Sequence, residues 1–235
     1  YGFHGLSVQS VLDARPDLDQ AVIAHLGSGC SVTAVAGGRS RYTTMSLTPT
    51  GGMVSGTRSG DLDPEVVLYL LGERGYSADR LRALLDGHSG LAGLAAGRHD
   101  VRDLLAADDP DAALALAVLA DSAARAIAGC ATALDSWDAL VFTGGVGEHA
   151  GPVREAICAR LLPLRARRPG DAVPAGGTAT ERLAATGVRV LVVPADEEAV
   201  LDRLARAALA ADSSRAGDEC PVETGPKPAD TAPAG

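Results

Sequence analysis

The chain has 235 residues, 46% of them hydrophobic, and a formal net charge of −9. This is the composition of a globular protein with enough material for a large core, and not that of a disordered chain. The acidic balance argues against broad binding to nucleic acid or to an anionic membrane, so any anionic ligand must be held by a local pocket.

Lys227 is the only lysine. No GxxxxGK element exists, which excludes a P-loop nucleoside triphosphatase. The four cysteines, Cys30, Cys130, Cys158 and Cys220, are scattered without a CxxC pair, as in a reduced cytoplasmic protein. The strongly apolar run at 112–120 stops at Asp121, well short of a membrane span. The chain opens on YGFHG without Met and reads as the interior of a longer protein.

In chain order, AVIAHL (21–26) is a short apolar run closed by Gly27, which predicts a buried strand. SVTAVAGGRSRYTTM (31–45) alternates on either side of Gly37-Gly38, the signal of a hairpin. SGTRSGDLDPE (55–65) then places Arg58 among Ser and Gly. Gly lets another molecule approach the backbone and Arg adds an always-charged planar fork, although a solvated loop has the same composition. Asp61 is placed to orient Arg58. Asp63 and Pro64 fit the cap and first position of a helix through EVVLYLLGERG (65–75). Ser77 to Gly87 reads as a second helix with a Gly stop.

Residues 110–134 predict a long Ala/Leu-rich helix. ALVFTGG (139–145) is a strand entering a Gly turn, and PVREAICARLL (152–162) is the helix leaving it. VRVLVVP (188–194) predicts another buried strand. DEEAVLDRLARAALAA (196–211) begins with acids suited to a helix N-terminus. From Asp212 to Gly235 the composition is that of a disordered tail. Strands and helices mix throughout residues 1–211 without an internal repeat, so the class is α/β.

Three Gly-rich turns could hold phosphate: HLGSG (25–29), GGVGEH (144–149) and the Arg58 loop. Gly after a strand exposes backbone N–H groups, and a following helix adds its positive end. Each alone is weak evidence, because tight α/β turns need Gly anyway. GGVGEH has the wrong spacing for a dinucleotide fingerprint. His4 alone is more often structural than catalytic. Asp100 is equally suited to capping the helix that starts VRDLL, and Glu197 and Glu198 to favouring a helix dipole. They gain meaning only as a set.

As a set they resemble the carboxyl-terminal two-thirds of the acetokinase family, within the superfamily of acetate and sugar kinases, heat-shock protein 70 and actin. The resemblance runs from Tyr1 to about Ala210 in the expected order, and YGFHG (1–5) and GTRSGDLDP (56–64) are its most specific parts. It implies a ribonuclease H-like, actin-like ATPase domain: a mixed sheet flanked by helices, forming the carboxyl-terminal lobe of a two-lobed kinase over residues 1–211. The implied activity is reversible, ATP-dependent phosphorylation of acetate to acetyl phosphate. A propionate or butyrate kinase, or a truncated nucleotide-binding module without transfer activity, are the alternatives.

By the same resemblance, His4 and Arg58 stabilise the transferring phosphoryl group. His25, Leu26, Gly27, Ser28 and Gly29 form a phosphate turn for ATP. Asp100, Val101 and Arg102 form a nucleotide-binding DxR element, and Gly145, Val146, Gly147, Glu148 and His149 a second ATP loop. Glu197 binds Mg²⁺, with Mn²⁺ as a substitute. Phe3 and Pro49 line an apolar slot for the methyl group of acetate. The family also implies a cytoplasmic homodimer.

Three departures from the family pattern are visible: Ser28 stands for Asn in HLGNG, His149 for Asn in GIGEN, and ADEE (195–198) for TNEE. The Ser28 hydroxyl can still bond a phosphate oxygen. The family's amino-terminal domain supplies a metal-proximal Asn, a substrate-binding Arg and a catalytic Asp. None can be placed in residues 1–235, which by themselves are expected to hold part of the active site and to show no substantial turnover.

Overall fold

The computed structural model describes residues 3–165 and 176–216. The chain divides into two compact units, Tyr1–Glu197 and Glu198–Gly235. The first contains the whole sheet.

It opens with helix α1 (Gly5–Ala14), followed by β1 (Gln20–Leu26), β2 (Cys30–Ala36) and β3 (Arg39–Thr43). β1 pairs antiparallel with β2, and β2 with β3. The predicted hairpin forms because Gly37 and Gly38 take φ of 59° and 69°, the left-handed pair that a two-residue turn needs.

Four helices follow: α2 (Pro64–Gly72), α3 (Ala78–Gly87), α4 (Gly90–Leu94) and α5 (Val101–Ala106). Three have side-chain caps, from Asp63 to Glu65 N–H, Ser77 to Arg80 N–H and Asp100 to Arg102 N–H. The long helix α6 (Pro110–Ala131) is capped by Asp109 and ends slightly before the predicted residue 134. Next come β4 (Ala139–Thr143), α7 (Gly144–His149), α8 (Gly151–Arg165), α9 (Ala179–Ala184), β5 (Arg189–Val192) and α10 (Glu197–Ala216). Helix α10 continues past Asp212; the predicted tail from 217 onward lies outside the described residues.

The strand order is β3-β2-β1-β4-β5, with β1, β4 and β5 parallel. Strands β1 and β4 are buried on both faces. Val22, Ala24, Leu26, Leu140 and Phe142 pack on one side with Leu119, Ala123 and Ile127 of α6 and with Ile157 and Leu161 of α8. Ala21, Ile23, Ala139 and Val141 pack on the other side with Val8 and Val11 of α1. By composition α6 could cross a membrane, but one face of it, with Ala115, Leu119, Ala123 and Ile127, is buried in this core. β5 is not the buried strand that was predicted. Among the described residues its only strand neighbour is β4, and Arg189 and Val192 are exposed. Helices α1, α4 and α9 have no sequence prediction. Among the described residues, Cys30, Cys130 and Cys158 are buried and free.

Candidate functional site

The site begins with strand register. His25, at the end of β1, is paired with Ser31 on β2 and with Thr143 on β4. Strand alternation puts His25 on the side of Ala21 and Ile23, the side that α1 covers. His4 starts that helix in a left-handed conformation, φ 53° and ψ 11°, without a side-chain cap. A non-Gly residue rarely holds this backbone unless its surroundings fix it. His4 Nδ1 lies 2.9 Å from Ser31 Oγ, and Ser7 Oγ lies 2.7 Å from His25 Nδ1. The two imidazoles face each other with centroids 4.0 Å apart and planes inclined by 30°.

Opposite the histidines is the Arg58 loop, fixed by backbone bonds. Ser89 N–H donates to Thr57 O (3.0 Å), Leu91 N–H to Ser55 O (3.1 Å) and Ala92 N–H to Gly56 O (2.9 Å). Ser59 N–H donates to Leu85 O at 3.1 Å. The loop therefore rests on the end of α3 and the start of α4. Gly90, at φ +59°, makes this contact possible: a Cβ there would overlap Ser55 O and lie 2.7 Å from Arg58 O. Gly56 N–H donates to Ser28 O at 3.3 Å, joining the loop to the turn after β1.

Arg58 and His4 converge over Gly29. A Cβ on Gly29 would lie 2.9 Å from Arg58 Nη1 and 3.4 Å from His4 Nε2. Half-buried Arg58 makes one long bond, from Nη1 to Pro49 O at 3.5 Å, and no carboxylate among the described residues pairs with it. The expectation that Asp61 orients Arg58 is not met. Asp61 Oδ1 instead accepts from Gly52 N–H at 2.7 Å, because the turn through Gly51 and Gly52 brings that amide closer. Pro49 thus sits beside the guanidinium, and Phe3, half-buried, immediately precedes His4.

The turn after β4 also differs from expectation. Gly144 leads directly into the short helix α7, so Gly145 to His149 form helix rather than open loop. Gly144 has φ +77°, and a Cβ would lie 2.8 Å from Leu26 O and 3.1 Å from His25 Nε2. Glu148 Oε1 accepts from Gly144 N–H and Ala195 N–H, both at 3.0 Å. It joins the end of β4 to the segment after β5. The His149 side chain is 83% exposed, with Nε2 4.0 Å from Glu148 Oε2. Thr143 Oγ1 is buried without a hydrogen-bond partner, which leaves a polar group free at the strand end beside His25.

Asp100 caps α5 and also grips the exposed Arg102, whose Nη2 is 2.5 Å from Asp100 Oδ2. That guanidinium holds the Asp100 carboxyl well below the usual carboxylate range. The element adjoins the Arg58 loop, since a Cβ on Gly56 would lie 3.6 Å from His99 O. Glu197, half-buried, opens α10, and the preceding Asp196 N–H donates to Ser10 Oγ of α1 at 3.1 Å.

A polyphosphate fits this arrangement, and Glu197 is the carboxylate that would hold a divalent ion beside it. The Gly27–Gly29 turn and Arg58, which no described carboxylate pairs, suit an anion. The described residues hold no group of three or more His, Cys, Asp or Glu side chains.

Burial, reinforced by the neighbouring His25 and Arg58, pushes the His4 pKa down to about 4, with Glu197 pulling the other way. Burial likewise lowers His25, opposed by Glu148. Both rings are therefore neutral at pH 7. An unfolded His4 titrates near 6.5, so between about 6.5 and 4 the unfolded state binds more protons. The stability from neutral His4 is complete above about pH 6.5 and is lost as pH falls toward 4. The urea midpoint of the wild type should drop more between pH 7 and pH 4.5 than that of His4→Gln. Equal drops would contradict this.

The structure thus gathers His4, His25, Gly27, Gly29, Arg58, Pro49 and Gly144 into one cradle, with Asp100–Arg102 attached through His99. Sequence reading missed Ser7, Ser31, Gly90 and Thr143, because only register and through-space packing bring them to the site.

The acetokinase family model matches residues 1–203. The chain is 40% identical over 212 residues to the acetate kinase of Rhodopseudomonas palustris, covering 86% of this chain and 53% of that protein. It is 42% identical over 224 residues to the acetate kinase of Deinococcus deserti, covering 90% and 56%. Among solved structures, a propionate kinase from Francisella tularensis superposes with a TM-score of 0.72 at 32% identity, over 84% of this chain and 53% of that one. The acetate kinase of Porphyromonas gingivalis gives 0.72 at 30% identity, over 86% and 54%. The mixed sheet flanked by helices is the actin-like ATPase arrangement of these kinases. The chain spans about half the length of the curated relatives it matches, less than the two-thirds expected.

Proposed function

Since the chain belongs to the acetokinase family, we propose that it forms the nucleotide- and phosphoryl-binding lobe of a kinase that transfers the γ-phosphoryl group of ATP reversibly to acetate. The observation that carries this reading is the convergence of Arg58, unpaired by any described carboxylate, with His4 over Gly29.

Two anions must meet in this reaction, and charge spreads over the equatorial phosphoryl oxygens as the group passes in line. Arg58 clamps those oxygens through its fork, and neutral His4 donates one further hydrogen bond. The backbone of His25 to Gly29 and the entry to α7 face the nucleotide phosphates, and Asp100–Arg102 faces the nucleoside. Glu197 would hold Mg²⁺, which lowers the charge on the polyphosphate. Phe3 and Pro49 form the part of the acyl slot that this chain supplies, and the facing lobe supplies the rest. We assign the enzyme to the cytoplasm. A homodimer is in keeping with α2, which buries no residue and presents Val66, Leu68, Tyr69 and Leu71.

The test is a hydroxamate assay on the complete protein, including whatever precedes Tyr1, with MgATP and acetate, propionate or butyrate. Acetyl hydroxamate should form with the highest kcat/KM, propionate following within about 10–200-fold, the usual discrimination for one methylene. Residues 1–235 alone should give almost none. No acyl hydroxamate from any acid would overturn the reading.

A further inference from the structure

We propose that Ser31 and Ser7 are positioning residues that hold His4 and His25 in the Nε2–H tautomer, so that both rings present a donor to the cradle between Gly29 and Gly144. Only the catalytic consequence rests on the kinase reading; the tautomers are a property of the chain itself.

Two buried hydroxyls fix the ring protons. Ser31 and Ser7 are 1% and 0% exposed. Each has an imidazole Nδ1 as partner, at 2.9 Å and 2.7 Å, and neither hydroxyl has a second acceptor among the described residues. Were Nδ1 to carry the proton and donate to the serine, the hydroxyl proton would be buried without an acceptor. An unmet buried donor is costly. When the hydroxyl donates to the Nδ1 lone pair, both groups are satisfied and the ring proton stays on Nε2.

Geometry gives that proton a purpose. His4 Nε2 faces Gly29 beside Arg58 Nη1, and His25 Nε2 faces Gly27 and Gly144. These are the turns expected to hold phosphate. The stack of the two rings at 4.0 Å and their burial disfavour an imidazolium in either, so each donates through one nitrogen only. The wrong tautomer would turn a lone pair toward an anion. Register supplies one serine, because Ser31 is the cross-strand partner of His25. Helix periodicity supplies the other, one turn after His4 on α1.

The test is nitrogen NMR of the complete protein labelled with ¹⁵N-histidine at pH 7, with His4 and His25 assigned from His→Gln variants. Both rings should show protonated Nε2 and bare Nδ1. Ser31→Ala should move His4 toward a tautomer mixture and lower kcat about 10-fold, the lower end of the cost seen when a metal-bound histidine loses its orienting partner, with KM for MgATP within about twofold. Ser31→Thr, which restores a hydroxyl, should return both signals and rate. Ser7→Ala should do the same to His25 alone. Protonated Nδ1 in the wild type, or an unchanged His4 pattern in Ser31→Ala, would overturn the proposal. If the tautomers respond as expected but no form of the protein makes acyl phosphate, the kinase reading fails and the positioning role stands. An active wild type with unresponsive tautomers would remove the positioning role and leave the kinase reading standing.

Discussion

Arg58→Ala should lower kcat of the complete enzyme about 10²–10³-fold, the usual cost of removing one preorganised donor aimed at developing charge. KM for MgATP should change far less. Arg58 is half-buried, is unmatched by any described carboxylate, and is held by loop backbone rather than by a salt bridge. A guanidinium in that state has its strongest interaction only when an anion enters. Lys is a poor replacement, because its point charge lacks the fork that grips two oxygens. Arg58→Lys should recover only part of the rate. An Arg58→Ala enzyme within about threefold of the wild type would remove the residue from the mechanism.

The second large effect is expected far from any reacting group. Gly90→Ala should lower kcat by about 100-fold, the lower end of the cost of losing the Arg58 donor itself, and should destabilise the protein by about 1–3 kcal/mol. At φ +59° an L-residue is strained, and its Cβ would overlap Ser55 O and crowd Arg58 O. Both neighbours are backbone, and a carbonyl held in a bonded loop cannot swing aside as a flexible side chain can. The loop must move, and Arg58 moves with it. Gly87→Ala is the control, since a Cβ there meets nothing within 4 Å. Its kcat should match the wild type. A Gly90→Ala enzyme with wild-type kcat would show that the loop tolerates displacement.

These two residues mark what could be read in the sequence. Arg58 was legible because its surroundings are local: Ser, Gly and a following Asp-Pro helix start. The caps at Asp63, Ser77 and Asp100 and the Gly37-Gly38 turn were legible for the same reason, each resting on contacts a few residues apart. Gly90 was not legible, because its partners Ser55 and Arg58 lie more than thirty residues earlier. Asp61 was misread because its carboxylate had two nearby candidates, and the Gly52 amide was closer in space. The row of Ser31, His25 and Thr143 depends on strand register, which no single strand reveals. The apolar run at 188–194 carried no mark of being an edge strand, since its place beside β4 at the end of the described sheet is set by tertiary pairing.

The central claim is that Arg58, His4 and Gly29 form a cradle for a phosphoryl group in transfer rather than for a nucleotide at rest. Calorimetric titration of MgADP with acetate, with and without aluminium fluoride as a mimic of the transferring group, tests it directly on the complete wild-type and Arg58→Ala proteins. Aluminium fluoride should tighten binding to the wild type by at least about 10²-fold, the lower bound for transition-state analogues. That tightening should vanish in Arg58→Ala, while MgADP alone binds both within about threefold. Equal tightening in the two proteins would contradict the account.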